Sequence, residues 1–285
     1  MKKVILFGAT GHVGQEIARE LKQQGYQLTV VVRNGSKAEQ LSYLAANTVI
    51  ADVTKPASLS GICNGHSIVV SALGKSVSPN DNSRQTFYDI DFLGNRNILR
   101  EAKNSGVKKF VYLSAFHSEK YLSLSYFKVH HEFSEVLKAS GIDYSIIKPP
   151  AVFSAFTDVI ELAKKGRLVT IGAGDKKTNP IYEGDLARIC VEAIGEHNAT
   201  IEAGGKTIYT RKQLNDIVQK TVNPGRKALH MPIALVKTML PLVKLYDKNM
   251  YDKAAFIVEV MQHDTIAPRM GELSFEDYIQ TKASS

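Results

Sequence analysis

Three features of the sequence predict an α/β fold built on an open, doubly wound parallel sheet, followed by a smaller, mainly helical C-terminal lobe. Short β-rich apolar runs alternate with longer amphipathic stretches through the first 150 residues. Those runs are nearly continuous rather than alternating, the pattern of parallel strands covered on both faces. A glycine-rich turn, "GATGHVG", joins the first run to the first amphipathic stretch. Repeated strand–helix–strand units of this kind assemble as a parallel sheet with right-handed crossovers.

Strands are expected at 3–8 ("KVILFG"), 27–32 ("QLTVVV"), 47–51 ("NTVIA"), 67–73 ("SIVVSAL"), 108–114 ("KKFVYLS") and 143–148 ("DYSIIK"). Between them lie helix candidates. "HVGQEIARELKQQG" ends at Gly25, a natural C-terminal cap. "SKAEQLSYLA" carries Ser36 and Glu39 in the spacing of a capping box. "TFYDIDFLGNRNILREAKNSG" and "SYFKVHHEFSEVLKASG" follow, the second closing at Gly141. After Pro149-Pro150 the pattern loosens. Helices are expected at about 156–165 and from Asp185 to about 195, then a strand at "KTIYT" and a helix capped by Thr210 and Gln213. The organisation read from this is a nucleotide-binding domain over 1–150 and a substrate or lid lobe over 151–285, parts of which return to the sheet.

Composition narrows the function classes. Apolar residues make up 44% of 285, enough for a sizeable core. No apolar run approaches the ~18 residues that span a bilayer, and the short apolar run after Lys2-Lys3 ends in a glycine turn, unlike a signal peptide. Residue 2 therefore reads as the start of folded protein. Cys63 and Cys190 suggest reduced thiols in a cytoplasmic protein and offer no metal-ligand spacing. The net charge of +8 comes from scattered pairs rather than a basic stripe. This argues against nucleic acid and for a phosphate-bearing ligand or an anionic surface.

The loop "GATGHVG" has the G-x-x-G-x-x-G spacing at a strand-to-helix junction, the Rossmann context for a dinucleotide. Gly8 allows the tight turn, Gly11 lets backbone approach a pyrophosphate, and Gly14 lets helix and strand pack closely. Thr10, His12 and Val13 complete the contact loop, whose helix N-terminus attracts phosphate. At the end of the second strand an acid would hold the ribose hydroxyls of NAD. "VVVRNGSK" has Arg33 there instead, with Lys37 nearby. Arg33 is thus either a partner for the 2′-phosphate of NADP or a solvated loop arginine, and NADPH is the favoured cofactor.

These residues, with "ADV" (51–53), "SALG" (71–74), "VKKFVYLSAF" (107–116), "SGIDYSIIKPP" (140–150) and "TNPIYEGDLA" (178–187), resemble the atypical short-chain dehydrogenase/reductase superfamily, NmrA-like NAD(P)H-binding branch. The resemblance implies that Asp52 and Val53 contact the adenine, that Ala72, Leu73 and Gly74 line the cofactor, and that Pro149 borders the nicotinamide. It also implies a serine after the fifth strand and a Tyr-x-x-x-Lys pair on the next helix. Ser114 matches the serine and Tyr126 the tyrosine, which puts His130 where lysine is expected. Lys128 lies about 200° around the helix from Tyr126 and cannot substitute. "YSIIK" has the right letters on a strand, where the two groups stand roughly 13 Å apart. The dyad is altered. His130 reads either as a ribose contact or as part of a solvated helix face; Tyr126 either donates a proton or packs beside the nicotinamide.

The function expected from this is an NADPH-dependent oxidoreductase reducing a small carbonyl or enone compound. The alternative is a non-catalytic NADPH-binding redox sensor or assembly factor. Phe116 and Phe153 are candidate substrate-wall residues or plain core. Residues 231–261 carry Lys237 and Lys244 on one face and Leu235, Met239, Leu242 and Leu245 elsewhere, with Pro241 expected to break or kink the helix. An ordinary helix pair, a lid, a dimer contact and a peripheral membrane surface are all open for this segment, and the oligomeric state is not legible.

Overall fold

The computed structural model describes residues 2–283. In chain order the first half forms β1 (Lys3–Phe7), α1 (His12–Gln23), β2 (Gln27–Val32), α2 (Gly35–Leu41), β3 (Asn47–Ile50), β4 (Ile68–Ser71), α3 (Asn95–Asn104), β5 (Lys109–Leu113), α4 (Ser125–Lys138) and β6 (Asp143–Lys148). There follow α5 (Thr157–Lys164), β7 (Val169–Ile171), β8 (Lys177–Thr178), α6 (Glu183–Glu192), β9 (Ala199–Glu202), β10 (Tyr209–Thr210) and α7 (Arg211–Val222). The chain ends in β11 (Leu229–Met231), α8 (Ile233–Tyr246), α9 (Lys248–Val260) and α10 (Phe275–Ala283).

The seven-stranded sheet has the order β3-β2-β1-β4-β5-β6-β9. β1 to β6 pair in parallel, with Phe7 level with Val31 on one side and Ser71 on the other. The strand order reverses between β1 and β4, so a crevice opens there at the strands' C-terminal ends. This is the Rossmann architecture that the periodicity predicted. Its strands are apolar on both faces because both are covered. On one, Ile5, Phe7, Val69, Phe110, Tyr112 and Ile146 are buried with Ile98 and Leu99 of α3 and Phe133 and Leu137 of α4. On the other, Val4, Leu6, Val70, Val111 and Ile147 are buried too.

The chain divides into two compact units. The first comprises Met1–Lys75, Gln85–Lys148 and Leu186–Ile201 and holds the sheet; the second comprises Ser76–Arg84, Pro149–Asp185 and Glu202–Ser285. The second has its own core of Phe153, Ile160, Tyr209, Leu214, Phe275 and Tyr278. Segment 76–84 is held there by Lys253 of α9. Its ammonium, 2% exposed, donates to the carbonyls of Ser78 (2.9 Å) and Asp81 (2.6 Å) and pairs with the Asp81 carboxylate at 3.3 Å. The "TNPIYEGDLA" stretch braces the same unit. Buried Asn179 donates to the Gly205 and Ala267 carbonyls and accepts from the Ala267 amide, while Asp185 accepts from the amides of Glu272 and Leu273.

Local chemistry sets several element ends. α7 begins with the expected capping box of Thr210 and Gln213. α2 does not begin at Ser36: Asn34 is the cap, its side chain accepting from the Lys37 amide, and the Ser36 hydroxyl donates to that same oxygen. Asn34 reaches the orphan amide one turn earlier, so the capping-box reading is corrected. Pro241 lies inside α8, and the break falls at Asp247, whose side chain caps α9 through the Met250 amide. The helix expected around 86–106 opens as a π-helical segment, Tyr88–Gly94, that runs directly into α3.

Candidate functional site

The crevice at β1 and β4 is shaped by glycines. Gly8 has φ 81° and lies so close to the Ala72 carbonyl that a Cβ would overlap it. A Cβ on Gly14 would overlap the Gly8 carbonyl, so α1 can pack against the turn only with glycine there. α1 starts at His12 with no acidic residue in its first turn, and Thr10, Gly11 and His12 are exposed while Val13 is half-buried. Free amides at an exposed helix start form a cradle for a diphosphate. Ala72 continues the sheet by donating its amide to Phe7, which sets Ala72, Leu73 and exposed Gly74 beside the glycine loop.

Arg33 directly follows β2 and is exposed. Burial raises the Asp52 carboxyl, but the Thr54 hydroxyl and amide outweigh it, and the charges of Lys55 and Arg33 hold it further below its ordinary value. Asp52 thus spends Oδ1 on a local turn, accepting from the Thr54 amide (3.0 Å) and hydroxyl (2.7 Å). Val53 is buried, and its carbonyl accepts from Asn97.

On α4 the spacing of four places Tyr126 and His130 on one face, their ring centroids 4.7 Å apart and edge-to-face. Phe87 meets Tyr126 edge-on from the other side at 5.4 Å. Burial and the Asp91 charge push the Tyr126 phenol up, so it keeps its proton at neutral pH. His130 is 5% exposed and points inward. Its Nδ1 is 2.7 Å from the Tyr112 hydroxyl and its Nε2 is 3.3 Å from Asp91 Oδ1. The reading of His130 as part of a solvated helix face is therefore corrected, because the ring is buried and directed toward two buried protein partners. Lys128 lies on the outer face with Glu132, as the helix geometry required.

Ser114 follows β5 directly. Its amide donates to the Ile147 carbonyl, and its hydroxyl is 3.2 Å from that of Ser134, which donates to the His130 carbonyl. Phe116 is buried and stacks on His117. Pro149 is half-buried immediately after β6. Phe153 is 1% exposed and enclosed by Phe275 and Tyr278, so it serves the core of the second unit. Sequence reasoning missed Asp91 and Tyr112. The available signal was two polar residues four apart, Asp91 and Asn95, among apolar Phe87, Ile90 and Ile98.

Fold, glycine cradle and switch-point crevice together define a dinucleotide-binding protein. Residues 8–197 match the family described as NAD(P)H-binding. The chain belongs to that family. It is 30% identical to the photosystem II assembly factor Ycf39 of Cyanophora paradoxa, over 82% of this chain and 73% of that protein. It is 29% identical to the chloroplastic divinyl chlorophyllide a 8-vinyl-reductase of Arabidopsis thaliana, over 82% of this chain and 60% of that one. Among solved structures, the Escherichia coli NADPH-dependent quinone oxidoreductase QOR2 in complex with NADPH superposes with a TM-score of 0.72 at 22% identity. That superposition covers 98% of this chain and 99% of the other, a likeness of fold.

Proposed function

We propose that this chain is an NADPH-dependent reductase of a small carbonyl or enone compound, with Tyr126 as proton donor. The observation that carries the reading is the half-buried Tyr126 phenol on α4, set on the same helix face as His130 with the ring centroids 4.7 Å apart. Gly8, Thr10, Gly11, His12, Val13 and Gly14 would hold the diphosphate, Arg33 the 2′-phosphate, Asp52 and Val53 the adenine through their backbone, and Ala72, Leu73, Gly74 and Pro149 the remainder. When bound, the nicotinamide supplies a hydride. Tyr126 gives its proton to the substrate oxygen or carbon, and Ser114 orients the group that receives it. In this reading residues 1–150 carry the nucleotide and 151–285 select the substrate. Cys63 and Cys190, buried and unbridged, suit a reducing compartment such as the cytoplasm. Among the described residues no helix is long and apolar enough to cross a membrane.

A second reading is a non-catalytic NADPH-binding assembly factor. The inward-turned His130, which leaves no lysine beside Tyr126, favours it, as does the naming of Ycf39 relatives as assembly factors. Following bound NADPH fluorescence while a panel of quinones, enones and aldehydes is added separates the two. Decay with any of them supports the reductase; a signal stable to all of them supports the binding protein. Titration with NADPH and NADH tests the cofactor. Arg33→Asp is expected to erase a preference for NADPH of about 1.5–3 kcal/mol, the size of a charge-assisted contact. Equal affinities in the unmodified chain would remove Arg33 from the site.

A further inference from the structure

Behind Tyr126 the first unit buries a cluster of polar side chains that an apolar core has no need of. Asp91 and Tyr112 are both 0% exposed, Ser134 is 2% and Ser114 and His130 are 5%. Asp91 is turned inward by the π-helical segment, a geometry that recurs at functional sites. Asn95 holds that turn, donating to the Asp91 carbonyl (2.9 Å) and accepting from the Ser71 hydroxyl (2.6 Å). Asp91 Oδ2 accepts from the Lys75 amide at 3.1 Å. Oδ1 makes no aligned hydrogen bond among the described residues and lies 3.3 Å from His130 Nε2.

We propose, resting on the reductase reading, that Asp91 and Tyr112 are positioning residues that fix His130 in one tautomer, with the proton on Nε2 and the lone pair on Nδ1, and through it orient Tyr126. An imidazole of fixed orientation then occupies the place where the resemblance calls for a lysine.

The argument is one of donors and acceptors. Burial and the Asp91 charge raise the Tyr112 phenol well above its ordinary value, while the neighbouring Ser114 hydroxyl pulls the other way. Tyr112 therefore keeps an O–H that can donate to Nδ1 across 2.7 Å. With Nδ1 accepting, the ring proton belongs on Nε2, where the Asp91 carboxylate draws it. The groups facing the ring are Asp91 from the π-helical segment, Tyr112 from β5 and Tyr126 from α4 itself. A carboxylate facing one ring nitrogen, which it can only accept from, is the arrangement by which buried acids set tautomers elsewhere. The Tyr126 ring rests edge-on against the imidazole, so a change of ring orientation moves the phenol.

The test uses the full chain labelled with 15N, and long-range 1H–15N correlation spectra of its histidine side chains, with His130 assigned by its loss in His130→Gln. The result expected is a pyrrole-like Nε2 and a pyridine-like Nδ1 at neutral pH, without any cofactor. Asp91→Asn keeps the shape but can present N–H to Nε2, and should move the proton to Nδ1. Tyr112→Phe should leave a mixture of tautomers, and serves as the second variant if Asp91→Asn unfolds. Both nitrogens protonated in the unmodified chain, or a spectrum indifferent to both changes, would overturn the proposal. NADPH oxidation by menadione reads the functional half: Asp91→Asn should lower kcat at least tenfold with KM for NADPH within threefold. Full kcat with a switched tautomer would remove the positioning role. No turnover of the unmodified protein with menadione or with any other quinone, enone or aldehyde of the panel would sink the reductase reading while the tautomer assignment stood.

Discussion

Helices α4 and α8 are both fourteen residues long, and they treat their side chains in opposite ways. α4 is the more polar, yet it buries Phe127, Val129, His130, Phe133, Ser134 and Leu137. α8 is mostly Leu, Val, Ile and Met, yet none of its residues is buried. Its Ile233, Val236, Leu240 and Val243, at spacings of three and four, are half-buried along the seam with α9. Leu235, Met239, Leu242, Leu245 and Tyr246 form a second stripe that faces outward, with Leu242 59% and Tyr246 91% exposed. Apolar content therefore does not say where a helix sits; the number of stripes and of neighbours does. Polar groups inside α4 are the more informative deviation, since burying them is costly unless each finds a partner.

The contrast predicts unequal responses to truncation. Phe133 is fully buried, with Tyr112 edge-on at 4.7 Å and Phe110 at 6.1 Å. Phe133→Ala is expected to cost about 3–5 kcal/mol in denaturant unfolding, the usual range for an aromatic removed from a core. A cost below ~1 kcal/mol would mean that α4 is not the anchored helix of the pair.

An effect of comparable size, on rate rather than on stability, is expected at Tyr126. Removing a positioned proton donor lowers rates by about 10²–10⁴. Tyr126→Phe should show that loss with NADPH affinity changed only a few-fold, because the phenol is not part of the glycine cradle. Unchanged turnover would assign the proton to another group.

Alkaline stability sharpens the same comparison. Tyr112 and Tyr126 are raised in the folded state by burial and then by Asp91, whereas an unfolded tyrosine releases its proton near pH ~10. Above that pH the folded chain binds more protons than the unfolded one, so stability falls as pH rises. The contribution is complete below the unfolded value and is lost toward the raised folded one. Tyr209 and Tyr278, each pushed up to about 12 mainly by burial, act in the same direction from the second unit. Thermal melts between pH 8 and 11 should show the loss, and Tyr112→Phe should make it shallower. An identical slope in that variant would show that Tyr112 ionises as freely folded as unfolded.

Strand periodicity located β2 and β6 to the residue, because continuous apolar runs bounded by turns leave little freedom. The glycine loop was equally legible, since its spacing is itself a steric requirement. What could not be read was which polar residues turn inward. Tyr126 and His130 announced themselves by spacing, but Asp91 depends on a π-helical turn that shifts its face, and Tyr112 on a partner eighteen residues away. Ser36 and Asn34 show the same limit at smaller scale, two residues able to cap one helix and no local rule to rank them. Pro241 is expected to break or kink the helix because proline removes an amide donor, but α8 runs through it and ends only where Asp247 caps the next helix.

The smallest expected effect lies on the outer stripe of α8. Leu245 is 83% exposed, so Leu245→Ser removes almost no packing and is expected to change stability by no more than about 0.5 kcal/mol. Leu240, half-buried on the seam with α9, should cost more when cut to alanine, about 1–2 kcal/mol, in proportion to the apolar area it hides. Denaturant unfolding of the two variants side by side measures the difference between stripes on a single helix. If Leu245→Ser cost as much as Leu240→Ala in dilute protein, the outward stripe would be covered in solution, and α8 would belong with α4 as an anchored helix. If the two separated as expected, α8 would remain a helix held by one seam, with its second stripe open to water.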